Sequence, residues 1–105
     1  METAMTTTLL QFDFPFEGPW GPEMTAAFGE LAQDIAAEDG LIWKIWTENR
    51  AENRAGGIYL FRDAEAAERY RQNHAARLTS FGITGIVARA FATNADLSAI
   101  TRGPC

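Results

Sequence analysis

A chain of 105 residues, 47% of them hydrophobic, is long enough to bury one core and too short for two ordinary domains. Its 14 acidic against 9 basic side chains leave a formal charge of −5 with Lys44 as the sole lysine, which argues against nucleic acid or an anionic membrane surface as partner, since both call for clustered cations. One cysteine, Cys105, excludes an intramolecular disulfide and a cysteine-built zinc site, and no apolar run approaches the ~20 residues of a membrane-spanning helix.

The first residues carry no basic segment followed by an apolar core, so no secretory signal is read and a cytoplasmic location is expected. Residues 1–6 and 102–105, Cys105 included, are expected to be frayed ends. From Thr7 to Phe14 the set Thr8, Leu10, Phe12 and Phe14 alternates with Thr7, Leu9, Gln11 and Asp13, a period of two that predicts a strand. Pro15 lacks a backbone donor and ends it, and Gly18-Pro-Trp-Gly-Pro22 reads as a turn.

Pro22 suits the first position of a helix, and Glu23 in its first turn favours the positive end of the dipole. Met24, Phe28, Leu31 and Ile35 then recur on one helical face, and Gly40 is expected to stop the helix. Leu41 to Glu48 follows as a strand. Strict alternation puts Leu41, Trp43, Ile45 and Thr47 on one face and Ile42, Lys44, Trp46 and Glu48 on the other. A polar stretch joins it as a hairpin to Ala55-Gly-Gly-Ile-Tyr-Leu-Phe61, where the pair Gly56 and Gly57 marks either a bulge with close backbone packing or an opening toward a ligand beside Tyr59.

Asp63 can cap a second helix to about Leu78, with Ala67, Tyr70, His74 and Leu78 on its inward stripe and Glu65, Glu68, Arg69 and Gln72 on its wet side. Ile83 to Phe91 reads as the last strand, and Asp96 to Thr101 as a single helical turn. No repeat or linker divides the chain, so residues 1–105 form one domain.

The order β-α-β-β-α-β predicts an α+β, ferredoxin-like sandwich: a four-stranded antiparallel sheet with two helices on one face. The other face must meet water or a partner. Because Trp46 and Ile42 share a predicted face with Lys44 and Glu48, that mixed face is expected to pack against a second copy, giving a homodimer through the open sheet face.

The segments Leu9-Leu-Gln11, Gly18-Pro-Trp-Gly21, Gly40-Leu-Ile-Trp-Lys-Ile-Trp-Thr-Glu48, Ala55-Gly-Gly-Ile-Tyr-Leu-Phe61, His74-Ala-Ala-Arg-Leu78 and Leu97-Ser-Ala-Ile100 resemble the YdhR family of monooxygenases. The resemblance runs from about Thr6 onward, and Ala75 stands where that family has threonine. It implies a dimeric α+β barrel related to the antibiotic-biosynthesis monooxygenases, which use neither metal nor flavin because a deprotonated phenolic substrate itself reduces oxygen.

Such chemistry needs an apolar pocket, a proton acceptor and donors for an oxyanion. His74 has the side chain suited to proton transfer near neutrality, and is either the base or a satisfied core histidine. Trp43 is either core or a wall for an aromatic substrate, and Tyr59 is the phenol beside the glycine pair; with His74 these make the expected catalytic set. Gly57, Tyr70 and Arg77 are expected to line the substrate pocket, although Arg77 could instead pair with a surface glutamate. Lys44 is expected to pair with Glu48 or a partner subunit and to be a poor base. The chain shows no Cys-His or Ser-His partners, phosphate loop or metal-ligand cluster. The resemblance implies a small aromatic substrate and no cofactor; haem bound axially by His74 and a non-catalytic binding module are the alternatives.

Overall fold

The computed structural model describes residues 6–105, so the expected fraying at the amino end falls, Thr6 apart, outside the described residues. The elements are β1 (Thr8–Pro15), α1 (Gly21–Ala36), β2 (Leu41–Asn49), β3 (Arg54–Phe61), α2 (Ala64–Ser80), β4 (Val87–Ala92) and a short α3 (Ala95–Ile100), with one 3-10 turn, Arg50–Glu52, joining β2 to β3. The strands form one antiparallel sheet in the order β2-β3-β1-β4. This is the ferredoxin-like α+β arrangement, with α1 and α2 over one face.

The alternation in β1 is realised directly. Thr8, Leu10, Phe12 and Phe14 are buried under the helices while Leu9, Gln11 and Asp13 lie half-exposed on the other side. The Asp63 side chain accepts from Ala66 N at 2.8 Å and so caps α2, satisfying one of the donors that the first helical turn leaves free. The first turn of α1 is served from another strand, because Glu48 Oε1 on β2 accepts from Gly21 N at 2.9 Å. Lys44 therefore does not hold Glu48 as an ion pair.

Three local expectations are corrected. α1 ends at Ala36, short of Gly40. Gly40 instead sits at φ +88° directly before β2, with its α-carbon so near α2 that an added Cβ would lie 2.6 Å from Ala66 Cβ. The last strand begins at Val87 and not at Ile83, because Gly85 at φ +68° turns the chain out of extended geometry, while Ile83 and Ile86 still pack on the core.

The third correction matters most for function. β2 pairs with β3 through Leu41↔Phe61 and then Trp43↔Leu60, so one residue is extra and the alternation reverses at that point. Leu41, Lys44, Trp46 and Glu48 lie on the helix side, opposite Phe61, Tyr59, Gly57 and Ala55. Trp43, Ile45 and Thr47 lie on the open side. Ile42, the inserted residue, is 51% exposed.

The core between helices and sheet is aromatic, with Phe12, Tyr59, Phe61 and Tyr70 all buried and in edge or tilted contact. On the open side the carboxyl-terminal segment crosses to Trp43, whose Nε1 donates to Pro104 O at 2.9 Å. The end of the chain is held there instead of hanging free, and Cys105 itself is exposed.

Candidate active site

α2 delivers the site from above and β3 and β2 from below. His74 is 3% exposed, stacked on Tyr70 with ring centroids 4.9 Å apart and edged by Phe12 at 5.0 Å. Tyr70 donates its hydroxyl proton to Tyr59 Oη at 3.2 Å. Arg77, one turn further along α2, brings Nε to 3.2 Å and Nη2 to 2.9 Å from His74 Nδ1.

A guanidinium only donates, so Nδ1 accepts and the imidazole proton is assigned to Nε2. Burial, followed by the charges of Lys44 and Arg77, pushes the His74 pKa down to about 3, which keeps the ring neutral near pH 7. Burial also raises both phenols, Tyr70 to about 12 and Tyr59 further still. The two tyrosines are therefore hydroxyl donors and not phenolates.

The residue that the alternation hid is Lys44. After the bulge in β2 its side chain runs under the helices, with Nζ 3.4 Å over the Trp46 ring and 4.6 Å over the Tyr59 ring. Gly57, the partner of Trp46 on β3, leaves the room: a Cβ there would sit 2.6 Å from Lys44 Cε. Gly56 answers a different need, since its Cβ would fall 1.9 Å from the Phe12 backbone oxygen. Burial first, then the charge of Arg77, pulls the Lys44 pKa down to about 7. No carboxylate pairs with Lys44 among the described residues.

Of these groups Lys44, Tyr59 and His74 meet at a cavity of about 30 Å³, bordered also by Met24, Phe28 and Leu78. That volume takes about one water molecule. Outside it a groove of about 250 Å³ shares Met24, Phe28 and Trp46, and the Phe28 and Trp46 rings stack 6.4 Å apart on the boundary. A second groove, of about 240 Å³, runs along the β2 edge past Ala32, Ile35, Leu41, Trp43, Lys44 and Trp46.

Of the residues named from sequence, the fold brings Tyr59, Tyr70, His74 and Arg77 together, with Gly57 beneath Lys44. Trp43 is not among them: it lies on the open side, bonded to Pro104, and shares with Lys44 only the groove along the β2 edge. Arg77 turns to His74, and forms no ion pair with a glutamate among the described residues. The indole beside the site is Trp46, and Lys44, expected to be a bystander, is central. The signal for both was the register slip in β2, which leaves no mark in the alternation of Leu41 to Glu48.

The described residues include no group of three or more His, Cys, Asp or Glu that could hold a metal ion. Haem does not fit them either, because it would need an open plane beside His74, whose ring is clasped between Phe12 and Tyr70 with about 30 Å³ free.

Two variants check this geometry. Trp43→Phe removes the hydrogen bond to Pro104 along with part of the ring, so stability should fall by about 1 kcal/mol in thermal melts; an unchanged melting temperature would show that the contact with Pro104 contributes nothing. For His74, the folded pKa of about 3 lies below the ordinary 6.5, so the unfolded chain takes up a proton that the folded one refuses. The resulting stability is fully present above pH 6.5 and is lost as pH falls toward 3. The melting temperature of the wild type should drop across that window relative to His74→Gln, whose amide oxygen can still accept from Arg77; parallel curves would contradict a buried neutral imidazole.

No helix among the described residues is long and apolar enough to cross a membrane. Two solved structures share the fold. Protein SO0527 from Shewanella oneidensis is 16% identical, with a TM-score of 0.61 over 85% of this chain and 92% of its own. NE2512, a protein of unknown function from Nitrosomonas europaea, is 18% identical, with a TM-score of 0.56 over 87% and 92%. No curated protein matches the sequence. The family model described as "Putative mono-oxygenase ydhR" matches residues 9–104, nearly the whole chain, and the chain belongs to that family.

Proposed function

We propose that the protein is a cofactor-independent monooxygenase acting on a small phenolic or polycyclic aromatic substrate. The observation that carries this reading is the Lys44 amine lying against the Trp46 and Tyr59 rings without a carboxylate partner among the described residues, beside His74 and the Tyr59 phenol at a small apolar cavity. Apolar cavities that hold benzene measure about 150 Å³, more than the inner cavity offers. The substrate rings therefore occupy the outer groove, and the reacting hydroxyl reaches Lys44 past Phe28 and Trp46.

In this reading the base is Lys44 and not His74, whose depressed pKa makes it a weak proton acceptor. Lys44 takes the phenolic proton, and its ammonium with the nearby Arg77 charge stabilises the anion. The electron-rich anion transfers electrons to oxygen, and His74 Nε2–H donates to the developing oxyanion. With anthrone, the methylene carbon gains one oxygen as a carbonyl, and the second oxygen leaves as water with the two methylene hydrogens.

The test is oxygen uptake with anthrone in the presence of a chelator. Stoichiometric uptake with anthraquinone formed supports the reading. A raised melting temperature with no uptake would replace it with a non-catalytic binding module.

The reading includes a cytoplasmic homodimer joined through the open sheet face. That side exposes Ile45, Val87 and Phe91, and α3 exposes Leu97 and Ile100, an apolar display that a monomer would leave in water. Sedimentation at micromolar concentration should give twice the chain mass; a monomer would remove the dimer from the proposal.

A further inference from the structure

We infer that Lys44 is a carbonyl-capturing amine, at which a small apolar aldehyde or ketone is held as an imine. This goes beyond the oxygenase reading and needs no oxygen. Four observations point to it. Lys44 is the only lysine in the chain, and its Nζ lies against the Trp46 and Tyr59 rings with no carboxylate to hold its proton among the described residues. Lys44 lines both the inner cavity and the edge groove of about 240 Å³, so a carbonyl compound has a way in from the β2 edge. Gly57 supplies the space in which the amine lies.

The fourth is the set of groups around it. From α2 comes neutral His74, backed by the charge of Arg77; from β3 comes Tyr59, whose hydroxyl accepts from Tyr70 behind it; and α1 contributes the apolar Met24, Phe28 and Leu31. Glu48, on the same face of β2, is engaged by Gly21 N. The two ring faces attract an ammonium, but burial and the charge of Arg77 outweigh them and favour an uncharged amine, in line with its lowered pKa of about 7, the arrangement that activates lysine as a nucleophile.

The step balances without a further reactant. The Nζ lone pair attacks the carbonyl carbon, and the C=O pair takes a proton to give a carbinolamine. Loss of that hydroxyl as water, with the second amine proton, leaves the C=N bond. His74 Nε2–H and the Tyr59 hydroxyl are the donors at hand for the leaving hydroxyl.

The experiment is reductive trapping of the full chain with benzaldehyde and cyanoborohydride at pH 7 under nitrogen, read by peptide mapping. An ordinary lysine, with pKa ~10.4, is uncharged in fewer than about one molecule in 10³ at this pH. Benzylation of Lys44 in the folded chain should therefore be at least about tenfold faster than in the urea-unfolded chain, even after allowance for weaker intrinsic nucleophilicity and restricted access. Its rate should also level off above about pH 7 to 8 instead of climbing toward pH 10. Free Nα-acetyl-lysine in the same solution serves as the reference. Absence of label on Lys44, or a folded-to-unfolded ratio below ten, overturns the inference. Because oxygen is excluded, failure here leaves the monooxygenase reading standing, and absence of oxygen uptake leaves this one standing.

Discussion

Lys44→Met should lower kcat/KM for oxygen-dependent turnover of anthrone by about 10²- to 10⁴-fold, the span that a positioned proton acceptor supplies. The same substitution should raise the melting temperature at pH 6. The reasoning is one of linkage: the folded pKa of about 7 lies below the ordinary value of 10.4, so at low pH the folded chain must keep a charged amine out of water. Stability in the wild type therefore increases with pH between about 7 and 10.4, and the advantage of Lys44→Met should shrink over that range. Lys44→Arg separates charge from proton transfer, because a guanidinium keeps the contact with Trp46 but never releases its proton near neutrality. It should be as inactive as Lys44→Met. Full turnover in either variant, measured with an oxygen electrode, would remove Lys44 from the chemistry.

Gly56→Ala should destabilise the fold by at least about 3 kcal/mol, a fall in melting temperature of about 12–24 °C for a domain of this size. The added Cβ would stand 1.9 Å from Phe12 O and 3.1 Å from Asp13 Cα. Both are backbone atoms of the neighbouring central strand, so no side-chain rotation can relieve the clash. Gly57→Ala makes the informative contrast. Its Cβ meets Lys44 Cε at 2.6 Å, the far end of a flexible side chain, and Tyr59 Cε1 at 3.2 Å. It should fold with a smaller loss, yet push the amine from its place and lower turnover. Thermal melts of the two variants decide this, and equal losses would mean that Gly57 serves packing alone.

The glycine pair shows how far the chain could be read before folding. Two glycines in a strand announce that something approaches closely, and close packing and an opening for a functional group were both legible as options. Assigning one to each glycine required knowing that Gly56 lies beside the β1 backbone and that Gly57 faces Lys44. His74 and Tyr70 were legible for a better reason, since the period of α2 puts them on one stripe with Leu78 whatever they touch. Trp43 was misplaced because strict alternation from Leu41 is broken by a bulge whose cause is pairing with β3. Arg77 was found by its position near that stripe but not by its partner, since a surface glutamate was the simpler expectation and His74 Nδ1 took the guanidinium instead.

The order of strands and helices, the buried stripe of α2, its cap at Asp63 and the family were thus determined by the sequence alone. All of these are local, arising from period, capping and short motifs that act within a few residues. The identity of the reactive group was decided only in three dimensions. Whether Lys44 faces water or the helices depends on a single extra residue in the β2 to β3 register, and its lowered pKa depends on burial under Trp46 and on the charge of Arg77, which a linear chain does not bring near it. Register and desolvation are properties of pairs of segments far apart along the chain, and they come into being only when the sheet and helices close over one another.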